Sequence, residues 1–337
     1  MKYYLKDIAK IKNGKKTILE DVGVKVYGSN GVIGFSKDSN APRNSIIIGR
    51  VGANTGSVFF SDEEHWVTDN AISVVPNNKI NPIYLFYLLK QKKLNRLAEG
   101  SAQPLVNQKI LNSFLIDIPS LEIQNKIADK LYKIDKKIEI NNKINTNLKL
   151  LKTAIFNDMF NSKLLNNLNG KLADIAKIQT GKRPISRSST YNNENKYPIV
   201  GASKIMGYTN SYNIDDSIIT TGRVGTHGII QRFREPVWIS DNSFIFTSHY
   251  EDYLYEILKN RINYTSLNRG STQPLITQTD LKNIDIYVPT DEEHRQFKTL
   301  IYPITNIEFI LNNEQHKLFK IKNLLLNKFF NSSKLTN

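Results

Sequence analysis

The segment Gly-Arg-Val-Gly occurs twice in the chain, at positions 49–52 and 222–225. Glycines on both sides permit a tight turn, and an arginine held there can bind a phosphate or contact guanine bidentately. Because the segment recurs unchanged, a phosphate contact or a structural ion pair explains it better than base reading does. Base reading by Arg50 and Arg223 remains the alternative.

The polar residues that follow these two segments differ between the copies. Asn54 and Thr55 follow the first segment, whereas Thr226, His227 and Gln231 follow the second. Their side chains carry the donors and acceptors that can read base edges. Two nucleic-acid-binding sites that read different sequences would have to differ in such residues, which makes these positions candidates for base selection.

Basic residues follow a glycine at two matching places. They are candidate phosphate contacts, and a role as solvated surface charge explains them equally well: Lys15, Lys16, Lys182 and Arg183. Asn30 and Lys204 lie in glycine-bounded loops and are further candidate DNA contacts, with a purely structural role as the alternative.

The sequence contains no recognisable catalytic motif. Asn81-Pro82-Ile83-Tyr84 approaches the Asn-Pro-Pro-Tyr signature of amino-methyltransferases, but it lacks the second proline and has no counterpart in the second half. We interpret it as a helix N-terminus with proline at its start. The five histidines show no metal-ligand spacing, and no phosphate-binding loop or nucleophile elbow occurs. We therefore expect no catalytic residue, cofactor or metal ion in this chain.

Both copies belong to a duplication that extends over most of the chain. A Gly-Ser-x-Gln-Pro-Leu segment begins at Gly100 and returns at Gly270, and the spacing between matching positions then stays constant as far as Phe160 and Phe330. In the earlier part of each copy this spacing drifts, so that it is smaller at the start of the copies than at their first glycine-bounded loops. Loops vary in length there, whereas the helix and the segment that leads into it do not.

Several repeated polar residues are interpreted as structural. Asp69-Asn70 and Asp241-Asn242 each follow one of the two tryptophans and read as turn or buried hydrogen-bond positions. Gln103 and Gln273 are interpreted as turn residues that stabilise the junction to the helix.

The composition is strongly basic. A net charge of +15 and a pI near 9.6 indicate a polyanionic partner, nucleic acid first and an anionic membrane second. A lysine-rich composition typical of an A+T-rich genome would explain part of this charge. The 337 residues contain no cysteine and no run of eighteen apolar residues, so we expect no disulfide, no membrane span and a cytoplasmic location.

Each copy is predicted to be a globular region followed by a long helix. Short β-like runs dominate residues 1–120 and 166–290, which predicts two similar mixed α/β domains with mostly antiparallel strands. Each region is also predicted to hold one short helix, capped by Asn107 in the first and by Thr277 in the second.

Heptad-like spacing in 121–165 and 291–337 predicts helices whose seams are apolar at the ends and polar in the middle. The predicted seam of the first helix consists of Ile127, Leu131, Ile134, Ile138, Asn141, Asn145, Leu148, Lys152, Ile155 and Met159, and that of the second consists of their counterparts 170 residues later. A forty-residue helix is about 60 Å long, which is too long for one small domain to bury, so each helix needs a partner of similar length. Because each helix begins at one globular region and the first ends at the other, we expect the two helices to pair antiparallel. Pro303 is expected to kink the second helix.

Together, the duplication, the Gly-Ser-x-Gln-Pro-Leu segment, the Ile-Pro-[Ser/Thr] junction and the Gly-Arg-Val-Gly loop resemble the specificity (HsdS) subunit of type I restriction-modification enzymes. The resemblance covers essentially the whole chain. It implies two target-recognition domains, each reading one half of a split, asymmetric site in double-stranded DNA. It also implies that the helices set the gap and dock two methyltransferase subunits, which restriction and translocase subunits join. S-adenosylmethionine, ATP and Mg are expected on those partners. The chain is short for the family, and Pro303 and Glu308 make its two docking surfaces unequal.

A second reading from the residues alone is a basic coiled-coil scaffold that binds proteins or anionic surfaces. A symmetric scaffold does not require the polar loop residues to differ between the copies, whereas two sequence readers do.

Overall fold

The computed structural model describes residues 1–97, 105–270 and 274–331, and the side chains of these residues except Asn331. Gln103 and Gln273 lie outside the described residues, so the role predicted for them stays a prediction. The chain forms two compact units, Met1–Asn142 with Asn312–Asn337, and Lys143–Leu311. Each unit contains one globular region and parts of both long helices.

The first globular region alternates short strands with short helices. Its elements are β1 Lys2–Tyr4, α1 Leu5–Ile8, β2 Ala9–Asn13, β3 Val24–Gly28, β4 Gly31–Ser36, β5 Ser45–Gly49, β6 Val58–Ser61, β7 Trp66–Val67, β8 Ala71–Pro76, α2 Pro82–Gln91, α3 Gln108–Asn112 and β9 Leu115–Asp117. The first long helix, α4, is Leu121–Asn166.

The second region repeats this order. Its elements are β10 Gly170–Lys171, α5 Leu172–Ile175, β11 Lys177–Thr180, β12 Tyr197–Val200, β13 Ile205–Thr209, β14 Ile218–Gly222, β15 Gln231–Phe233, β16 Trp238–Ile239, β17 Ser243–Thr247, α6 Glu251–Asn260, α7 Gln278–Lys282 and β18 Asp285–Ile286. The second long helix, α8, is Asp291–Leu326 and is helical through Pro303.

The sheets of the two regions have the same topology. The first has a four-stranded antiparallel sheet ordered β2-β8-β5-β6 and a three-stranded sheet ordered β4-β3-β7. The second has β11-β17-β14-β15 and β13-β12-β16. The prediction of mixed α/β domains with mostly antiparallel strands is confirmed. The sequence did not predict the parallel pairing found in each region, β3 with β7 and β12 with β16.

Helix caps form where the sequence places them. The Asn81 side chain accepts hydrogen bonds from the amides of Ile83 and Tyr84. Asn107 caps α3, and Thr277 caps α7 with a capping box. These short polar side chains satisfy amide groups that have no partner within the helix, which fixes where each helix begins.

The long helices are antiparallel within each unit, as predicted. In the first unit Asn141 donates to Glu314 at 2.7 Å and Lys322 pairs with Asp135. In the second unit Lys152 pairs with Glu308 at 2.5 Å, and Lys163 pairs with Glu293 further along. The predicted seam positions are buried or half-buried, with a polar middle that includes Asn141, Asn145 and Lys152.

Each helix also contributes to a domain core, which the heptad pattern did not predict. Phe156 and Phe160 of α4 are fully buried, and their rings lie 5.6 and 4.9 Å from the ring of Tyr253 on α6. In the first unit Ile127 and Leu131 pack into the core beside α2. Helix α4 therefore buries side chains against its partner helix and also against the globular region of each unit that it passes through.

The start of α8 gives the second unit an acid-sensitive contact. Glu293 accepts hydrogen bonds from the Thr290 amide at 2.8 Å and the Tyr287 hydroxyl at 2.7 Å, and it pairs with Lys163. Burial raises the pKa of Glu293, but these partners outweigh it and hold the pKa at about 2, against an ordinary 4.5.

A lowered folded-state pKa means that the stabilisation is present above pH 4.5 and is lost as the pH falls towards 2. We expect the free energy of unfolding of Glu293→Gln to depend less on pH in this range than that of the wild type. Urea titrations across the range measure it, with Glu292→Gln, an exposed neighbour, as the control. Parallel curves for Glu293→Gln and wild type would contradict the expectation.

Candidate nucleic-acid interface

In each region, several strands end at one edge of the sheets. In the first region Gly14 follows β2, Gly28 ends β3, and Gly49 ends β5, next to the turn Asp69-Asn70. The Gly14 amide donates to the Ala71 carbonyl at 3.0 Å, which joins the end of β2 to this turn. The predicted turn at Asp69-Asn70 is confirmed. Loops that are far apart in the sequence therefore lie next to one another at this edge.

Close backbone contacts at this edge require glycine. A Cβ on Gly14 would lie 2.1 Å from the Thr68 carbonyl oxygen, and one on Gly181 would lie 2.2 Å from that of Ser240. These are backbone atoms that cannot move aside as a flexible side chain could. The glycine that precedes each basic pair is therefore explained by packing.

The tryptophans hold the residues after these glycines in place. The Trp66 indole donates to the Lys15 carbonyl at 2.7 Å, and the Trp238 indole donates to the Lys182 carbonyl at the same distance. Both lysine side chains are exposed, as are those of Lys16 and Arg183. The main chain is thus fixed while four cationic groups extend into solvent.

Arg50 lies where β5 meets the edge. Its amide donates to the Asn70 carbonyl at 3.0 Å, and its own carbonyl accepts from the Val106 amide at 3.1 Å. One guanidinium nitrogen lies 3.4 Å from the Asp69 carbonyl oxygen, a long hydrogen bond. Its Nε atom is buried and has no hydrogen-bond partner among the described residues.

Arg223 repeats this arrangement in the second region. Its amide donates to Asn242 at 2.8 Å, its carbonyl accepts from Ile276 at 3.0 Å, and its guanidinium lies 3.5 Å from the Asp241 carbonyl. The same three contacts thus recur in both copies. They join the sheet edge to the segment that leads into the long helix.

The predicted base-reading residues of the first region occupy two different environments. Asn54 is exposed in the short helical turn Gly52–Asn54. Thr55 is only 6% exposed, and its hydroxyl donates to the Gly52 carbonyl at 2.7 Å. Asn30 is exposed in the β3–β4 turn, next to Ser29, whose hydroxyl donates to the Asn70 carbonyl. The structure thus brings Asn30 and Asn54 to one edge and directs Thr55 inward.

The predicted contact residues of the second region also lie in two different environments. Thr226 and Lys204 are exposed, whereas His227 and Gln231 are half-buried. The imidazole Nδ1 of His227 lies 3.2 Å from the Gly222 carbonyl oxygen, and the Gln231 amide donates to the Gly201 carbonyl at 3.4 Å. His227 and Gln231 therefore help to hold the loop, whereas the side chains of Thr226 and Lys204 are exposed to solvent.

One repeated residue that supports this edge was not among the site residues predicted from the sequence. The Asn40 side chain bonds both the amide and the carbonyl of Val67, and Asn213 makes the same two bonds to Ile239. The two asparagines are separated by the same spacing that relates Gly28 to Gly201. That shared spacing was the signal that could have identified them.

The described residues 1–97, 105–270 and 274–331 contain no group of three or more His, Asp or Glu side chains that could hold a metal ion. Across the same residues, no helix combines the length and apolar character needed to cross a membrane.

The geometry can be compared with known proteins. Residues 1–150 and 167–315 match the family described as Type I restriction modification DNA specificity domain. A putative type I specificity subunit of Mycoplasma pneumoniae is 24% identical over 345 residues, covering 94% of this chain and 92% of that protein. The type I restriction enzyme MjaVIII specificity subunit of Methanocaldococcus jannaschii is 26% identical over 339 residues, covering 87% and 79%.

The fold is also similar to a solved structure. The crystal structure of the S subunit of a Type-I restriction-modification system from M. genitalium has a TM-score of 0.77 at 17% identity, covering 98% of this chain and 96% of that one. The family match includes both copies of the duplicated region. The chain therefore belongs to the type I restriction-modification DNA specificity family.

Proposed function

We propose that this chain is the sequence-reading subunit of a type I restriction-modification complex, with each globular region reading one half of a split DNA site. The observation that carries the proposal is the pair of matched sheet edges. Both edges have the same glycines, the same arginine and the same hydrogen bond from a tryptophan indole to a lysine carbonyl, which we call the tryptophan clamp. Their exposed polar residues differ: Asn30 and Asn54 lie on the first edge, and Lys204 and Thr226 lie on the second. Two domains that share their backbone contacts but expose different side chains are suited to recognise two different DNA half-sites.

Affinity and sequence choice would come from different parts of each edge. The exposed side chains of Lys15, Lys16, Lys182 and Arg183 can neutralise phosphates without reading sequence. Asn54 and Thr226 can offer hydrogen bonds to base edges. Arg50 and Arg223, whose contacts are identical in both copies, would support the edge and bind the backbone rather than select bases.

The chemistry of the complex would belong to partner subunits. We propose that this chain is not itself catalytic and that it assembles with two methyltransferase subunits and with restriction and translocase subunits. S-adenosylmethionine, ATP and Mg would be bound by those partners. The two long helices, whose outer faces expose residues such as Ile140, Leu150 and Ile310, supply surfaces for docking.

Single-molecule sequencing of modified adenines tests the proposal in a host that carries this chain and its methyltransferase subunit. We expect a split motif that disappears when this chain is removed. Asn54→Ala is expected to relax or abolish one half of the motif, and Thr226→Ala the other half. A chain that forms a complex but supports no split motif would contradict sequence reading. A chain that binds neither DNA nor a methyltransferase would favour the scaffold function.

A further inference from the structure

An open cavity of about 470 Å³ lies in the first unit, between the β3–β4 turn, strand β6, helix α2 and the first part of α4. Most of its wall is aromatic or apolar, and the main contributors are Phe59, Phe60, Ile83, Phe86, Tyr87 and Tyr132. The charged residues of the wall are Lys90, Lys136, Asp135 and Glu139. A concave apolar site with a few polar groups is the usual form of a small-molecule site.

In the second unit, the protein's own side chains occupy part of the corresponding place. Arg232 is the register counterpart of Phe60, since Ile219 pairs with Arg232 as Ile46 pairs with Phe60. Its guanidinium lies 4.6 Å from the Tyr255 ring and bonds Asp252 at 2.6 Å. The protein's own side chains thus bind the aromatic face of α6.

A second arginine connects the corresponding elements. Arg234 follows β15, donates to the Asn306 side chain at 2.9 Å and lies 5.6 Å from the Phe309 ring. By the constant spacing of the duplicated helices, Asn306 and Phe309 are the counterparts of Lys136 and Glu139, which line the cavity of the first unit. Arg234 thus bridges elements of the second copy whose counterparts leave the cavity of the first copy open, and a smaller opening of about 290 Å³ remains beside Arg234, Asp252 and Tyr302.

The charges around the cavity favour an anionic group at the rim. Asp135 accepts from the Tyr87 hydroxyl at 2.6 Å and pairs with Lys322, so its charge is already compensated. Lys136 and Glu139 form an exposed pair at 3.2 Å, which contributes little. Lys90 lies 5.3 Å from the Phe86 ring and pairs with no carboxylate of the described part of the chain. Asp135 and Lys136 each have a partner of opposite charge, so Lys90 is the cation of the wall that is left to meet an anionic group.

Flat aromatic walls next to lysines form the combination that binds a base together with its phosphate. We propose that this cavity binds a nucleotide, with the base against the aromatic wall and the phosphate at Lys90 and Lys136. The nucleotide is either a free mononucleotide or an unstacked nucleotide of DNA held at the adjoining β3–β4 turn. Asn30 belongs to both this turn and the cavity wall, which makes the second source geometrically accessible.

Saturation-transfer NMR on the full chain with adenosine 5′-monophosphate tests the proposal without any need for DNA recognition. We expect the nucleotide to bind about tenfold more tightly than adenosine, as loss of one charge-assisted contact implies, and ribose 5-phosphate not to bind. Lys90→Gln with Lys136→Gln should reduce nucleotide binding to the level of adenosine. Lys133→Gln, an exposed lysine on the same helix as Lys136, is the control and should leave binding unchanged.

A triple variant, Asp62→Arg with Lys136→Asn and Glu139→Phe, places in the first copy the three residue types that Arg234, Asn306 and Phe309 provide in the second. These positions are exposed or half-exposed, so the fold should persist, and this variant should lose binding of both nucleotide and adenosine. Titration with sheared genomic DNA identifies the source, because displacement of the nucleotide indicates a DNA nucleotide and retention indicates a free one. Undetectable nucleotide binding, or binding that the triple variant leaves intact, would overturn the proposal.

Discussion

Replacing Lys15, Lys16, Lys182 and Arg183 together by glutamine should weaken binding to a 40-base-pair duplex by about 10³-fold near 0.1 M salt. Each phosphate contact releases counterions and contributes about 0.9 to the slope of log K against log salt, so the slope should fall by about 3 to 4. Fluorescence anisotropy across a salt series measures both quantities. All four side chains are exposed on main chain that the tryptophan clamps hold, so the fold should not change.

The matched control removes the same charge elsewhere. Lys126, Lys130, Lys133 and Lys317 are exposed on the long helices, and their replacement by glutamine lowers the net charge equally. If both sets weaken binding to the same extent, the attraction comes from net charge and not from the sheet edges. A fall confined to the first set would identify the edges as the phosphate-binding surface.

Glu308→Ala should destabilise the second unit by about 3 kcal/mol, because it leaves the ammonium group of Lys152 buried without its partner. The Lys152 side chain is 3% exposed and that of Glu308 is 12% exposed, and their charged atoms are 2.5 Å apart. For a unit of this size the midpoint of thermal unfolding should fall by about 10 °C. Differential scanning calorimetry measures this change.

Two further variants test whether the unpaired ammonium group of Lys152 causes the loss of stability. Lys152→Met combined with Glu308→Leu removes both charges and should restore stability to within about 1 kcal/mol of wild type, since an apolar pair can replace a buried ion pair. Glu122→Ala breaks the exposed pair with Lys126 and should cost less than about 0.5 kcal/mol. A Glu308→Ala loss as small as that of Glu122→Ala would mean that Lys152 finds water or another partner.

The sequence by itself determined the features that depend on short-range spacing. The 4/3 alternation identified the seam residues of both long helices, from Ile127 to Met159 and their counterparts, because side chains three and four residues apart share a helix face. Cap residues such as Asn107 and Thr277 were recognisable, since a short polar side chain satisfies the free amides of the first turn. The duplication then predicted that both domains share one fold.

Side-chain direction and long-range pairing were decided only by the tertiary structure. Asn54 and Thr55 are adjacent in sequence, but one faces solvent and the other bonds Gly52 inside the loop. Phe156 lies on a helix face that the heptad pattern leaves outside the seam, and it is buried because Tyr253 meets it there. The contacts of Asn40 and Arg50 join residues that are far apart in the chain. Such contacts depend on how strands and loops meet in space, which residue spacing along one segment does not encode.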